Sequence, residues 1–208
     1  MPFGLRNAPN HFQYAMQCCL EPVLRGKCVV FVDDLLVYGT HETFIDNLRS
    51  TFECLKKFGL RLKPSKCKLG VEETDFLGVL VNKDGITVDP SRIEQLLEQP
   101  APKNVKDVRS FMGSANFFRK FIPDFATITA PLTDLMAKDK EFIWDERCDE
   151  AHNKIKKHLT SSPLLCHVDY SLPLVLHTDA STIGLGGVLT QPSEGGDRVI
   201  KYISKKLT

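Results

Sequence analysis

Residues 28 to 38 read Cys-Val-Val-Phe-Val-Asp-Asp-Leu-Leu-Val-Tyr, two β-branched, aliphatic or aromatic runs divided by paired aspartates. The pattern predicts a tight hairpin with the acids at its tip, and strands this uniformly apolar are expected to be covered on both faces. Thr40 can cap a following helix in which Phe44, Leu48, Phe52 and Leu55 recur at helical spacing, with Gly59 as a left-handed stop. A second hairpin is expected over 75 to 88, where 76 to 81 returns through Ile86-Thr87-Val88 with Asp84-Gly85 as the turn. Asp89-Pro90 reads as N-cap and first residue of a helix that ends before Pro100-Ala101-Pro102, a candidate linker. From Asn104, a helix stripe runs through Val105, Val108, Phe111, Met112, Ala115 and Phe118, and a shorter helical segment lies between Pro131 and Lys138. Beyond Pro163 the pattern returns to strands at 174 to 178, 187 to 190 and 199 to 203, the last two separated by Ser193-Glu194-Gly195-Gly196-Asp197. The whole reads as an α+β chain, sheet at both ends and helical between, without internal repeats and with its clearest change of pattern near residue 170.

Composition narrows the class. With 208 residues, 42% of them hydrophobic, the chain can bury a core, and it has no apolar run of 18, which argues against disorder and against a membrane-spanning helix. Seven cysteines at irregular positions, with no CxxC pair, fit neither a disulfide scaffold nor a zinc finger and point to a reducing compartment. No secretion signal is visible after Met1, so cytosol or nucleus is expected. The net charge is only +1, yet Arg49, Lys56, Lys57, Arg61, Lys63, Lys66 and Lys68 fall within 20 residues that hold a single acid, Glu53. A near-neutral chain therefore carries a basic stretch suited to a phosphate backbone.

Asp33 and Asp34 lie between apolar strands, where an unpaired carboxylate is costly unless a cation or hydrogen-bond donors meet it. Carboxylate pairs are the usual holders of Mg²⁺ against substrate phosphates, although a solvated turn would use the same dipeptide. Its companions decide between these. Residues 1 to 13, Met-Pro-Phe-Gly-Leu-Arg-Asn-Ala-Pro-Asn-His-Phe-Gln, followed by Phe31-Val32-Asp33-Asp34, resemble the nucleotide-site segment and Tyr-x-Asp-Asp box of reverse transcriptases. Further matches follow in order: Leu-Lys-Pro-Ser-Lys-Cys at 62 to 67, Phe-Leu-Gly at 76 to 78, Gly-Ile-Thr-Val-Asp-Pro at 85 to 90, Val-Arg-Ser-Phe-Met-Gly at 108 to 113 and Phe-Phe-Arg-Lys-Phe-Ile at 117 to 122. The chain thus resembles the Pol reverse transcriptase of gypsy-type LTR retrotransposons over nearly its full length, with Phe31 in place of the usual Tyr.

That resemblance implies a partial polymerase palm over 1 to 84, a mostly helical thumb and connection over 85 to 168, and the start of an RNase H-like domain over 169 to 208. It implies that Asp33 and Asp34 hold Mg²⁺ or Mn²⁺, Asp33 foremost, and that Phe3, Gly4, Asn7, Ala8 and Pro9 line a dNTP pocket. Lys66, or else Lys63, would give a proton to departing pyrophosphate, and Phe76, Leu77 and Gly78 would form the primer grip. Lys63, together with Arg109, Arg119 and Lys120 beside Phe117 and Phe121 read as exposed, would touch nucleic acid, and Asp179 in Leu-His-Thr-Asp-Ala-Ser would be the first RNase H metal ligand. The implied partners are an RNA or DNA primer-template, dNTPs and the other Pol segments, with no membrane. The family carries a further palm aspartate upstream of Pro-Phe-Gly-Leu and further RNase H acids downstream of Asp179, so a truncated chain, inactive alone, is expected. The competing expectation is a non-catalytic nucleic-acid-binding remnant; an unrelated two-carboxylate phosphotransferase would leave the motifs from 62 to 122 unexplained.

Overall fold

The structure, a computed structural model, describes residues 4–138, 140–161 and 164–207, and their contacts divide the chain into two units, 1–71 and 72–208. In the first unit, helix α1 (Ala8–Leu24) starts with Pro9 in its first turn, where a missing N–H costs nothing. It buries Met16, Cys19, Leu20 and Val23, one stripe at i, i+3, i+4 and i+7. Strands β1 (Cys28–Phe31) and β2 (Asp34–Val37) form the expected hairpin, pairing Phe31 with Asp34 across the two-residue turn Val32-Asp33. Alternate residues point opposite ways along a strand: Cys28 and Val30 enter the core with α1, whereas Val29 and Phe31 are 43% and 53% exposed. The expectation that both strand faces are covered is therefore corrected; the helices cover one.

Helix α2 (Phe44–Lys57) begins at Thr43 rather than Thr40 and ends at Gly59, whose φ of +70° is the foreseen left-handed stop. Its buried stripe is Asn47, Thr51 and Leu55, and Phe52 faces outward. The inward polar groups are satisfied: Asn47 Nδ2 donates to Tyr38 O at 2.8 Å, and Thr51 Oγ1 to Asn47 O at 2.8 Å.

The second unit holds two antiparallel sheets. One is ordered β3 (Glu73–Phe76), β4 (Val79–Asn82), β5 (Gly85–Val88), β6 (Leu165–Cys166); the other is β7 (Val175–Ala180), β8 (Gly184–Gln191), β9 (Arg198–Lys206). Residues 76 to 81 are not one strand: Leu77 and Gly78 take φ of 51° and 78°, a two-residue turn that folds β3 onto β4. The next turn is Lys83-Asp84, with Asn82 Oδ1 accepting from the N–H groups of Asp84 and Gly85 at 3.0 and 3.1 Å. Gly85 belongs to β5, and a Cβ there would stand 2.1 Å from Leu165 O, so glycine admits β6.

Between the sheets, α3 (Pro90–Leu97) is capped by Asp89 and α4 (Val105–Phe117) by Asn104. Short helices α5 (Phe125–Ile128) and α6 (Ala130–Asp134) follow. Helix α7 (Glu146–Thr160) was not foreseen, although Asp145 caps it and Cys148, Ala151, Ile155 and Leu159 mark its buried face. Phe111, Phe121, Ile122, Leu132, Ile155 and Leu159 form the centre of the core, against which Val199 and Tyr202 of β9 also lie. The helices and the C-terminal strands thus pack against one core. All seven cysteines are free thiols, and no helix among the described residues is long and apolar enough to cross a membrane.

Candidate active site

Asp33 occupies the hairpin turn and Asp34 opens β2; both are exposed, and neither carboxylate has an ion-pair or hydrogen-bond partner among the described residues. The residue before them carries the cost of presenting them. Val32 has φ of +52°, a left-handed conformation unfavourable for a β-branched side chain, at a turn position usually given to Gly, Asn or Asp. Gln13 of α1 holds the backbone here by two bonds: Val32 N–H donates to Gln13 Oε1, and Gln13 Nε2 donates to Val30 O at 3.3 Å.

Gln13 falls inside the 1 to 13 motif, to which the resemblance assigns no role at this position. The signal was a polar residue three before Met16, on the helix stripe that enters the core. Because Gln13 is five residues from Ala8, the clamp lies only ~8 Å along the helix axis from the first turn of α1. Gln13 thus ties α1 to the backbone that leads into the aspartates. Gly4 is exposed with φ of +89°, and nothing stands within 4 Å of where its Cβ would be. Asn7 is exposed at the N-cap position and makes no side-chain capping bond; Ala8 and Pro9 form the first turn. Phe3 lies outside the described residues.

Two exposed carboxylates without partners fit a hard divalent cation that is completed by water and phosphate oxygens. Among the described residues no three His, Cys, Asp or Glu side chains gather as a metal-binding group. Lys63 and Lys66 are both exposed, Lys63 preceding and Lys66 closing the single turn Pro64–Lys66, with Lys66 N–H donating to Lys63 O at 2.9 Å.

In the second unit, Leu77 is exposed at the tip of the β3–β4 hairpin, Phe76 is half-buried and Gly78 is buried. A Cβ on Gly78 would stand 3.0 Å from both Arg92 Cζ and Phe117 Cζ, so the glycine lets this tip rest on α3 and α4. Along α4, Arg109, Gly113 and Phe117 stand at i, i+4 and i+8 on one exposed face, with open space above Gly113. Phe121, read from the sequence as exposed, is completely buried in the core. Arg119 is exposed, yet its guanidinium donates to Ser204 O of β9 and lies 5.9 Å from the Phe125 ring centre. Lys120 is half-buried over the Phe121 ring, and burial first, then neighbouring Lys201, lowers its pKa. Of the four bases expected to touch nucleic acid, Lys63, Arg109 and Arg119 are exposed and Lys120 is half-buried, with Arg119 tied to β9. Asp179 is exposed on β7, opposite Gly186 of β8.

Comparison with known proteins gives the geometry its setting. Residues 1–81 match the family described as reverse transcriptase (RNA-dependent DNA polymerase), and residues 144–208 match the RNase H-like domain found in reverse transcriptase. The chain is 36% identical over 210 residues to the retrovirus-related Pol polyprotein from transposon 297 of Drosophila melanogaster, and 34% over 210 residues to the transposon Tf2-3 polyprotein of Schizosaccharomyces pombe. Each alignment takes in all of this chain but only 19% and 16% of the respective relative, so the chain spans less than a fifth of their length. Among solved structures it is similar to the foamy viral protease-reverse transcriptase in complex with dsDNA, with a TM-score of 0.81 and 26% identity over 100% of this chain and 44% of that one. The same viral protein in complex with RNA/DNA hybrid gives a TM-score of 0.80 at 26% identity, over 100% of this chain and 28% of that one. Ordered motifs, an aspartate-bearing hairpin and these similarities converge: the chain belongs to the reverse transcriptase family, with an RNase H-like region over 144–208, and along its length it is similar to part of retrotransposon Pol polyproteins.

Proposed function

We propose that this segment contributes to RNA-directed DNA synthesis, nucleotidyl transfer from a dNTP to a primer 3′ end, through the turn at Asp33 and Asp34. The observation that carries the reading is the presentation of two unpartnered carboxylates on a strained turn that Gln13 holds. Strain of ~1–3 kcal/mol persists in a native state only where surrounding contacts over-determine it, and it concentrates at functional sites. Bound Mg²⁺ or Mn²⁺ would neutralise charge on the triphosphate and acidify the primer hydroxyl, with Asp33 and Asp34 as its protein ligands.

The chain's own groups have separate tasks in this reading. Gly4 and the first turn of α1 at Asn7, Ala8 and Pro9, with Phe3, offer small side chains and bare backbone to a nucleotide base and sugar. Lys66, or Lys63 beside it, carries a proton at its ammonium that departing pyrophosphate can accept. The tip formed by Phe76, Leu77 and Gly78 steadies the primer end, and Arg109 meets duplex phosphates. Asp179 belongs to a second, RNase H-like carboxylate site. Segments 1 to 84, 85 to 168 and 169 to 208 serve as palm, thumb with connection, and RNase H-like start. The 208 residues alone are expected to be inactive, because the two carboxylates at the turn are fewer than the family resemblance assigns to the polymerase site.

The test is primer extension on an RNA template with Mg²⁺ and dNTPs, by these 208 residues and by a Pol polypeptide that includes them. The longer polypeptide is expected to extend the primer and Asp33→Asn to abolish this, with the 208-residue chain silent. Extension by the longer polypeptide that survives Asp33→Asn would refute the assignment. Robust Asp33-dependent extension by the short chain would refute its inactivity. Primer-template binding that is salt-sensitive and unaffected by Asp33→Asn and Asp34→Asn, with no extension by either polypeptide, would instead favour a non-catalytic binding remnant.

A further inference from the structure

Asp179, Gly186 and Ser204 form one row across the second sheet: Asp179 pairs with Gly186, and Gly186 pairs with Ser204. Directly opposed residues in antiparallel strands share a face, and two strand spacings place Ser204 roughly 10 Å from Asp179. The segment that leaves α4 is fastened to this row. Ser204 is buried; its hydroxyl accepts the N–H of Ala126 at 3.0 Å in the first turn of α5, and its carbonyl accepts from Arg119. Beside it, Asp124 takes φ of +47° and approaches so closely that a Cβ on Gly186 would stand 2.7 Å from Asp124 Oδ1. Lys206 and Asp134 add an ion pair at 2.6 Å.

We infer that Ser204 and Arg119 are positioning residues that bolt the segment following α4 onto the row carrying Asp179. The duplex-facing helix and the RNase H-like aspartate are then held as one body. The helix ends at Phe117 and Arg119 follows two residues later, so displacement of α4 is transmitted to β9 with little slack. This inference rests on the proposed roles of α4 and Asp179, and its test separates the two.

Hydrogen exchange is followed by mass spectrometry on the 208-residue chain, first free and then with a 20-base-pair RNA/DNA hybrid as the probe, in about tenfold excess. In the free chain, α5 and β9 amides are expected to exchange together, and Ser204→Ala to speed both about tenfold, as loss of one buried hydrogen bond predicts. If Ser204→Ala does not fold, Arg119→Met supplies the same readout. Exchange of α5 and β9 at rates that differ more than about tenfold in the unaltered chain, or rates unmoved by both variants, would overturn the bolt. With the hybrid, the unaltered chain should gain protection in α4 and β7 alike; in Ser204→Ala and Arg119→Met the α4 protection should remain while that of β7 falls away. Loss of α4 protection in Arg119→Met would assign Arg119 to the duplex and overturn the proposal. Arg109→Met should lose both protections while leaving the free-chain exchange unchanged. Absence of hybrid protection throughout the unaltered chain would count against the nucleic-acid reading, and the free-chain comparison would still decide the bolt.

Discussion

Replacing Gln13 with Leu removes the clamp on the aspartate turn while keeping a side chain of similar length on the α1 stripe. Two hydrogen bonds are lost, from Gln13 Nε2 to Val30 O and from Val32 N–H to Gln13 Oε1. At roughly 0.5–1.5 kcal/mol each, the pair is worth about 1–3 kcal/mol, and the lower half applies because Val32 is half-exposed and its freed N–H can reach water. Val32 at φ +52° would then relax, since the contact that over-determined its conformation is gone. Val32→Gly attacks the same balance from the other side: it removes ~1–2 kcal/mol of left-handed strain and adds about 0.5–1 kcal/mol of chain entropy to be lost on folding. The two changes must therefore couple, with the cost of Gln13→Leu falling by at least ~0.5 kcal/mol in the glycine background. The single tryptophan, Trp144, lies in the second unit and cannot report this event, so the assay is amide exchange across β1 and β2 in a double-mutant cycle. A cost below about 0.3 kcal/mol for Gln13→Leu, or strict additivity with Val32→Gly, would refute the clamp.

The remaining predictions concern the second unit. Gln191 is fully buried, and its amide joins Asp169 N–H at 2.9 Å, Asp169 O at 2.7 Å and Leu172 O at 3.4 Å. Gln191→Leu should destabilise this unit by about 2–4 kcal/mol in urea unfolding followed by Trp144 fluorescence, and a cost under ~1 kcal/mol would show that the contacts matter little. His152 is buried between Phe111 and Trp144, and burial, then Lys156, lowers its pKa against a smaller opposing influence from Asp149. The unfolded chain therefore takes up the proton first: the His152 contribution to stability is complete above the ordinary histidine range near 6.5 and is lost as pH falls from there through the lowered folded value. His152→Phe should flatten the acid limb of the unfolding free energy between about pH 6.5 and 5, and an unchanged slope would contradict this. Gly85→Ala forces a methyl group against Leu165 O and should detach β6 at a cost of about 2 kcal/mol or more, visible as accelerated exchange at Leu165 and Cys166; unchanged exchange would sink the close-approach argument.

Much of the fold was legible because local chemistry and tertiary packing agree. Asp89-Pro90 and Asn104 start helices where their capping chemistry says they should, and the Val108, Phe111, Ala115 stripe is the buried one. Where they disagree, the sequence misled. Phe52 fits helical spacing yet lies outside, because Asn47 and Thr51 occupy the inner face of α2 with their polar groups satisfied by backbone oxygens. Phe121 was read as an exposed aromatic, but a tight turn after α4 rotates it into the core, information that appears only when a helix ends. The two-residue turn at Leu77 and Gly78 was hidden inside an apolar run, since leucine gives no local hint of a positive φ. Motif order exposed the aspartates at once. Their support was not legible, because the Gln13 clamp joins residues 17 and 19 positions apart, and the Arg119 contact spans 85.

The central claim, that the Asp33-Asp34 turn is a seat for a divalent cation, is tested most directly by titrating Mn²⁺ into isotopically labelled protein and following paramagnetic broadening of amide resonances. The account predicts broadening centred on residues 31 to 35, displaced by excess Mg²⁺ and absent from the Asp33→Asn, Asp34→Asn double variant. Broadening spread evenly over the exposed acids of the chain, or undiminished at the turn in the double variant, would contradict it.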